Sequence, residues 1–160
     1  KRAEVFAQLG YRTALLKDSD ITTPAHRQQT EHCRASGVTI FEWGNGFSTE
    51  AALLAWCPTE TIRDIVLLAA GLNSQQQVDQ HIHNCSQGAY NFDTCTGEPT
   101  EEMRTPVAHA AGKYGWFKTI GKAEDLAENI VGPVINQFSR PFKAIIRDLL
   151  AWAAENGDPR

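Results

Sequence analysis

Residues 14–20 read ALLKDSD, an apolar run that ends in Asp18 and Asp20, two acids separated by one serine. Ionised carboxylates held this close repel each other, so their pairing calls for a compensating partner. A divalent cation is one such partner, because Mg2+ takes one or two carboxylates together with water and phosphate oxygens. The plainer alternative is that the two acids cap the loop that follows. A third acid stands in a comparable place: VTIFEW (38–43) is followed by the turn GNGFST (44–49) and then by Glu50. Ser48 or Thr49 suits the N-cap of the helix AALLAWC, and an early Glu complements a helix dipole, so Glu50 has a structural reading as well.

Two-metal phosphodiester hydrolysis needs acids that converge from separate strand ends, since two cations about 3.5–4 Å apart clamp the attacking and leaving oxygens. Asp18, Asp20 and Glu50 are three groups of that kind. The chemistry also needs positive charge against the phosphate in the transition state. Lys118, after the large aromatics Trp116 and Phe117 in GKYGWFK, offers it, with Lys113 in the same segment as the alternative.

The elements that must carry these residues show as patterns. Residues 3–9 have helical periodicity and Gly10 is a stop; 12–17 read as a buried strand. A polar stretch carries Pro24 early and resumes as a helix to about Ser36, where Gly37 ends it, and 38–43 form a second strand rich in β-branched and aromatic residues. Alternating helices and strands imply a parallel α/β sheet whose ligands sit outside the carboxyl ends of the strands. Pro58 starts an amphipathic helix with Ile62, Ile65, Val66, Leu68 and Ala69 facing inward, and another helix runs from about Ser74 to His83. Residues 84–99 have no period and read as a long loop, followed by helical segments at about 100–113, 122–137 and 142–155. The expected organisation is an α/β core over 1–57 with the acidic motifs, and a mainly helical extension over 58–160.

With 160 residues, 42% hydrophobic and 21% charged, the chain has the totals of one soluble globular domain. No apolar run approaches the roughly 18 residues of a membrane span, and the N-terminus lacks a signal-peptide layout. The net charge of −4 argues weakly against a nucleic-acid binder, although a metal nuclease keeps acids in its site. Cys33, Cys57, Cys85 and Cys95 have no CxxC spacing and fit reduced thiols of a cytosol. His81 and His83, near Cys85, point to different sides of a helix and have no fourth ligand, which is a poor zinc pattern. Trp43, Trp56, Trp116 and Trp152 read as core anchors.

Taken together, LGYRTALLKDSD, VTIFEWGNGFSTEAALL and AAGKYGWFK resemble the C-terminal part of the Toprim domain of the OLD-family (overcoming lysogenization defect) nucleases, from about Ala3 to Trp152. The resemblance implies a Toprim-like parallel sheet with a helical C-terminal half, and a DNA endonuclease that uses two divalent cations, Mg2+ or Mn2+. It implies Asp18 and Asp20 as metal ligands, Glu50 as a ligand of the second metal with Ser48 close by, and Lys118 as the basic catalytic residue. DNA is the implied partner, with an ATPase domain in the same polypeptide, a helicase partner and homo-oligomerisation through a part not present. A role in phage defence in the bacterial cytoplasm, without membrane association, is implied too.

One departure stands out. Toprim domains carry a Glu after an earlier strand, and Glu4, inside a helical segment, is the sole acid ahead of Asp18. Because the chain also opens on Lys1 rather than Met, it is expected to be a piece of a longer protein that lacks this first strand, and to cleave DNA poorly alone. Two other classes stay open. One is a catalytically silent Toprim module that binds DNA or a partner. The other is a haloacid dehalogenase-like phosphatase, whose DxDxT motif matches Asp18, Asp20 and Thr22. That family needs a later acidic pair, for which Glu124 with Asp125, or Asp158, are the candidates.

Overall fold

Helix α1 (Arg2–Gln8) ends where Gly10 takes up the left-handed region at φ +85°, a conformation that favours glycine. In this computed structural model, which describes residues 2–155, the chain forms two compact units. One comprises the described residues of Lys1–Thr49 and Ala144–Arg160, the other Glu50–Lys143.

In the first unit, strand β1 (Ala14–Lys17) leads into helix α2 (Pro24–Ala35) and then strand β2 (Thr39–Glu42). Helix α2 starts where Thr23 accepts the backbone N–H of His26 and Pro24 pre-sets the first turn; Gly37, at φ +85°, closes it. The strands pair in parallel, in register from Ala14 opposite Thr39 to Lys17 opposite Glu42. This is the expected α/β arrangement in its simplest form: among the described residues the sheet has two strands. Both are shorter than expected, and β1 is half-buried along its whole length rather than buried. Glu4 is buried between α1 and α2, where its carboxylate accepts from the Gln29 amide at 2.6 Å and the Cys33 thiol at 3.3 Å. Its job there is helix packing. Trp152 also departs from expectation: it is half-buried and serves as a platform for Arg12, whose guanidinium lies 3.9 Å from the ring centre and donates to the Trp152 carbonyl at 2.8 Å.

The second unit is helical. Helix α3 (Thr49–Trp56) enters it from the first unit, followed by α4 (Thr61–Leu72), α5 (Gln75–Cys85), α6 (Phe92–Gly97), α7 (Arg104–Tyr114), α8 (Ile120–Leu126) and α9 (Gly132–Val134). Helix α10 (Arg140–Ala154) starts in this unit and contributes its later residues to the first. Ile62, Ile65, Val66 and Ala69 are fully buried, as their spacing requires, while Leu68 is only half-buried. Arg104, the first residue of α7, ties the end of α3 to the start of α7. It donates to the Leu54 carbonyl, to the Thr59 hydroxyl at 3.0 Å and to Glu101 at 2.6 and 2.8 Å. The Arg104 and Thr59 hydrogen bonds hold the Glu101 carboxyl down at about 2.

Two expectations fail here. Residues 84–99 are not one long loop, because 92–97 form α6. Its start is a capping box in which Asn91 accepts the Thr94 N–H at 2.9 Å and the Thr94 hydroxyl accepts the Asn91 N–H at 2.9 Å. Thr replaces the usual Glu or Gln, so the sequence signal is weak, and burial of Phe92 and Cys95 holds the helix in place. Nor is 122–137 one regular helix. Pro133 has no N–H, and its ring excludes the carbonyl four residues back, so residues 127–131 widen into a π-turn. Gly132 bonds the Ala127 carbonyl across that turn, and a Cβ there would lie 3.2 Å from the same oxygen. Among the described residues no helix is long and apolar enough to cross a membrane.

Candidate active site

Asp18 follows β1 directly, at the carboxyl end of the strand pair. Its Oδ1 accepts the backbone N–H of Thr49 at 2.8 Å and the Thr49 hydroxyl at 2.9 Å. That hydroxyl in turn accepts the indole N–H of buried Trp43 at 2.9 Å. The carboxylate therefore satisfies an orphan N–H at the first residue of α3, where the helix dipole favours negative charge. It does cap, but it caps a helix 31 residues away rather than the adjoining loop.

The loop around it is pinned. Ser19 donates its N–H to the Phe47 carbonyl at 2.9 Å, and the Trp43 N–H reaches the Lys17 carbonyl at 3.3 Å. Asn45 and Gly46 both sit in the left-handed region, at φ +61° and +69°, which lets the 44–48 turn fold back; a Cβ on Gly46 would lie 3.9 Å from the Ser19 carbonyl. Ser48, half-buried, stands in this turn immediately before Thr49. Asp18 and Asp20 are both exposed. Asp20, and Oδ2 of Asp18, have no hydrogen-bond or ion-pair partner among the described residues.

Glu50 and Lys118 belong to the second unit. Glu50, in the first turn of α3, is half-buried with its carboxylate against Gly112 of α7: a Cβ on that glycine would lie 3.7 Å from Oε2. Its carboxylate makes no hydrogen bond or ion pair with a described residue. Lys118 is exposed at its charged end while its stem crosses Gly115, the left-handed cap of α7 at φ +63°. An added Cβ at Gly115 would come within 3.1 Å of the Lys118 Cδ, and the Lys118 N–H donates to the Gly115 carbonyl at 3.3 Å. Trp116 and Phe117 are buried and anchor the backbone before it. Lys113, also exposed, lies 5.2 Å from the centre of the Tyr114 ring. Glu50 and Lys118 thus both rest on glycines of the C-terminal turn of α7.

Because the Glu50 carboxylate has no partner among the described residues, Glu50→Gln is expected to cost about 1 kcal/mol or less, the size of a helix-dipole term. A melt shifted little from the parent, together with lost metal-dependent cleavage, assigns it to metal binding. Retained cleavage assigns it to the helix start alone.

His81 is committed to the core of the second unit. Its Nδ1 accepts the Trp116 indole N–H at 3.1 Å, and its ring stacks on Tyr114 with centroids 3.7 Å apart. Desolvation by burial pushes its pKa below the ordinary histidine value. Among the described residues no group of three or more His, Cys, Asp and Glu side chains is arranged to hold a metal ion. Asp158, one late acid of the phosphatase reading, lies outside the described residues.

Two further residues contribute at this end of the strand pair without a signal in the sequence. Thr49 suits a local helix cap by its place in the sequence, but it presents both its N–H and its hydroxyl to Asp18. Arg27, in the first turns of α2, holds the Thr22 carbonyl through Nε at 3.2 Å and Nη2 at 3.0 Å. A lone arginine on an exposed helix carries no motif, so no sequence signal pointed to it. Compared with protein-family models, with curated proteins and with solved structures, the chain shows no match.

Proposed function

We propose that this chain is the catalytic part of a metal-dependent DNA endonuclease similar to the OLD-family Toprim nucleases. The observation that carries the reading is the pair Asp18 and Asp20 at the carboxyl end of β1: exposed, on a pinned loop, with three of their four carboxylate oxygens free of any partner among the described residues. Oxygen donors of this kind suit a hard cation such as Mg2+ or Mn2+. Asp18 and Asp20 would hold one ion, and Glu50 with Ser48 would serve a second. Ions held there would supply an activated water and neutralise the scissile phosphate. The chain's own residues do the rest: the Thr49 and Phe47 contacts keep the 18–20 loop from swinging, and Lys118 opposes charge that grows on the phosphate oxygens. DNA is the substrate under this reading, and an ATPase domain of the same polypeptide regulates cleavage.

The test incubates the complete polypeptide with supercoiled plasmid and, separately, with p-nitrophenyl phosphate, each in Mn2+ or EDTA. Nicked or linear plasmid in Mn2+ alone, with the small ester untouched, is the expected result. Hydrolysis of the small ester alone would make the chain a phosphatase that uses the DxDxT segment. DNA binding without either reaction would make it a silent Toprim module.

A further inference from the structure

Beside the 18–20 loop a cleft of about 590 Å³ opens between the carboxyl ends of β1 and β2 and one face of α2. In parallel α/β units this crevice is where ligands bind, and the volume falls within the roughly 300–1,000 Å³ usual for small-ligand sites. The cleft's charged lining consists of Lys17, Arg27 and Arg34 against Glu31 and Glu42, with His26 beside them. Both carboxylates are already engaged: Glu42 by Lys17 at 2.5 Å and by Arg34 at 3.5 Å, Glu31 by Arg34 at 2.6 Å. Arg27 is different. It bonds only the neutral Thr22 carbonyl, and its charge has no carboxylate partner among the described residues. Among the lining residues the cations outnumber the carboxylates by one, and exposed Ile21 adds an apolar wall. Ser19 lines this cleft and separates Asp18 from Asp20, so the cleft and the acid pair share one loop.

We infer that this cleft binds a nucleotide phosphate, with Arg27 as the principal cation and Arg34 and Lys17 in support. A planar guanidinium suits the phosphate oxygens, and Ile21 can cover a sugar or base face. The inference rests on the nuclease reading only in taking the phosphate as part of the DNA strand that runs past Asp18 and Asp20.

The experiment measures binding in EDTA, which removes metal from the question. The probes are a fluorescein-labelled single-stranded oligodeoxynucleotide, followed by anisotropy, and dAMP, followed by chemical-shift changes in the 160-residue chain. Arg27→Glu is expected to weaken oligonucleotide binding on the order of tenfold or more, through loss of a charge-assisted contact. It should also lower the dependence of log K on log salt by about 0.7, the share of one single-strand phosphate. Arg27→Gln should fall between the parent and Arg27→Glu, and thermal melts of both variants establish that they fold. If dAMP alone binds, with the same dependence on Arg27, the site stands and a free nucleotide is its occupant. Parent-like binding of both probes by folded Arg27→Glu overturns the inference. Absence of plasmid cleavage in Mn2+ with intact dependence on Arg27 overturns the nuclease reading and leaves the cleft in place.

Discussion

Asp18→Asn is expected to abolish Mn2+-dependent DNA cleavage in the complete protein while melting close to the parent, and Asp18→Ala to lose both cleavage and stability. The two variants separate two jobs that the structure gives one carboxylate. An asparagine keeps a neutral acceptor oxygen for the Thr49 N–H and hydroxyl, and it caps helices about as well as aspartate. It lacks the negative charge that a hard cation needs. Alanine removes the acceptor too, so α3 loses the partner of its first N–H and the chain from Trp43 through Thr49 loses its terminus. Loss of such a cap typically costs about 1 kcal/mol, within a range of roughly 0.5–2. Cleavage should fall at least on the order of 10²-fold in both variants, since a bound metal contributes several kcal/mol to transition-state stabilisation. Chemical denaturation with a plasmid assay reads both quantities. Full activity in Asp18→Asn, with destabilised Asp18→Ala, would make Asp18 a helix cap and nothing more.

Lys118→Met carries the second large effect. Under the nuclease reading its ammonium meets charge that grows on the phosphate, so its loss should lower kcat on the order of 10²–10³-fold, as removal of one oxyanion donor does. KM should change far less, because the interaction strengthens mainly in the transition state. Stability should hold within about 0.5 kcal/mol: the group is exposed, and methionine retains the stem that crosses Gly115. Lys113→Met is the matched control. Lys113 lies over the Tyr114 ring, and its loss should cost on the order of 0.5–1 kcal/mol and leave kcat unchanged. An exchange of phenotypes between the two variants would move the catalytic role to Lys113. Parent-like kcat in both would place it outside this chain.

Much of the framework was readable from the residues alone, because its signals act within a turn or two of chain. Gly37 ends α2, and Ser74 stands at the start of α5, where its side chain accepts the Gln77 N–H at 3.2 Å. The spacing of Ile62, Ile65, Val66 and Ala69 fixes one face of α4, and the β-branched run at 38–43 becomes the strand that pairs with β1. That Asp18 and Asp20 stand at a strand's carboxyl end follows from the same local pattern.

What a local pattern cannot carry is the choice of partner. Asp18 could cap its own loop or hold a metal; the fold sends one of its oxygens to Thr49, because the parallel pairing of β1 and β2 brings the two strand exits side by side. The α6 helix forms on a Thr-based capping box that depends on burial of Phe92 and Cys95. Trp152 meets Arg12 across 140 residues, and Arg27 has no carboxylate partner among the described residues while Arg34, seven residues on, is paired twice. Caps and periodicity are properties of neighbours in sequence. Pairing of charges and satisfaction of buried donors depend on which distant groups arrive within about 3 Å, and only the tertiary structure decides that.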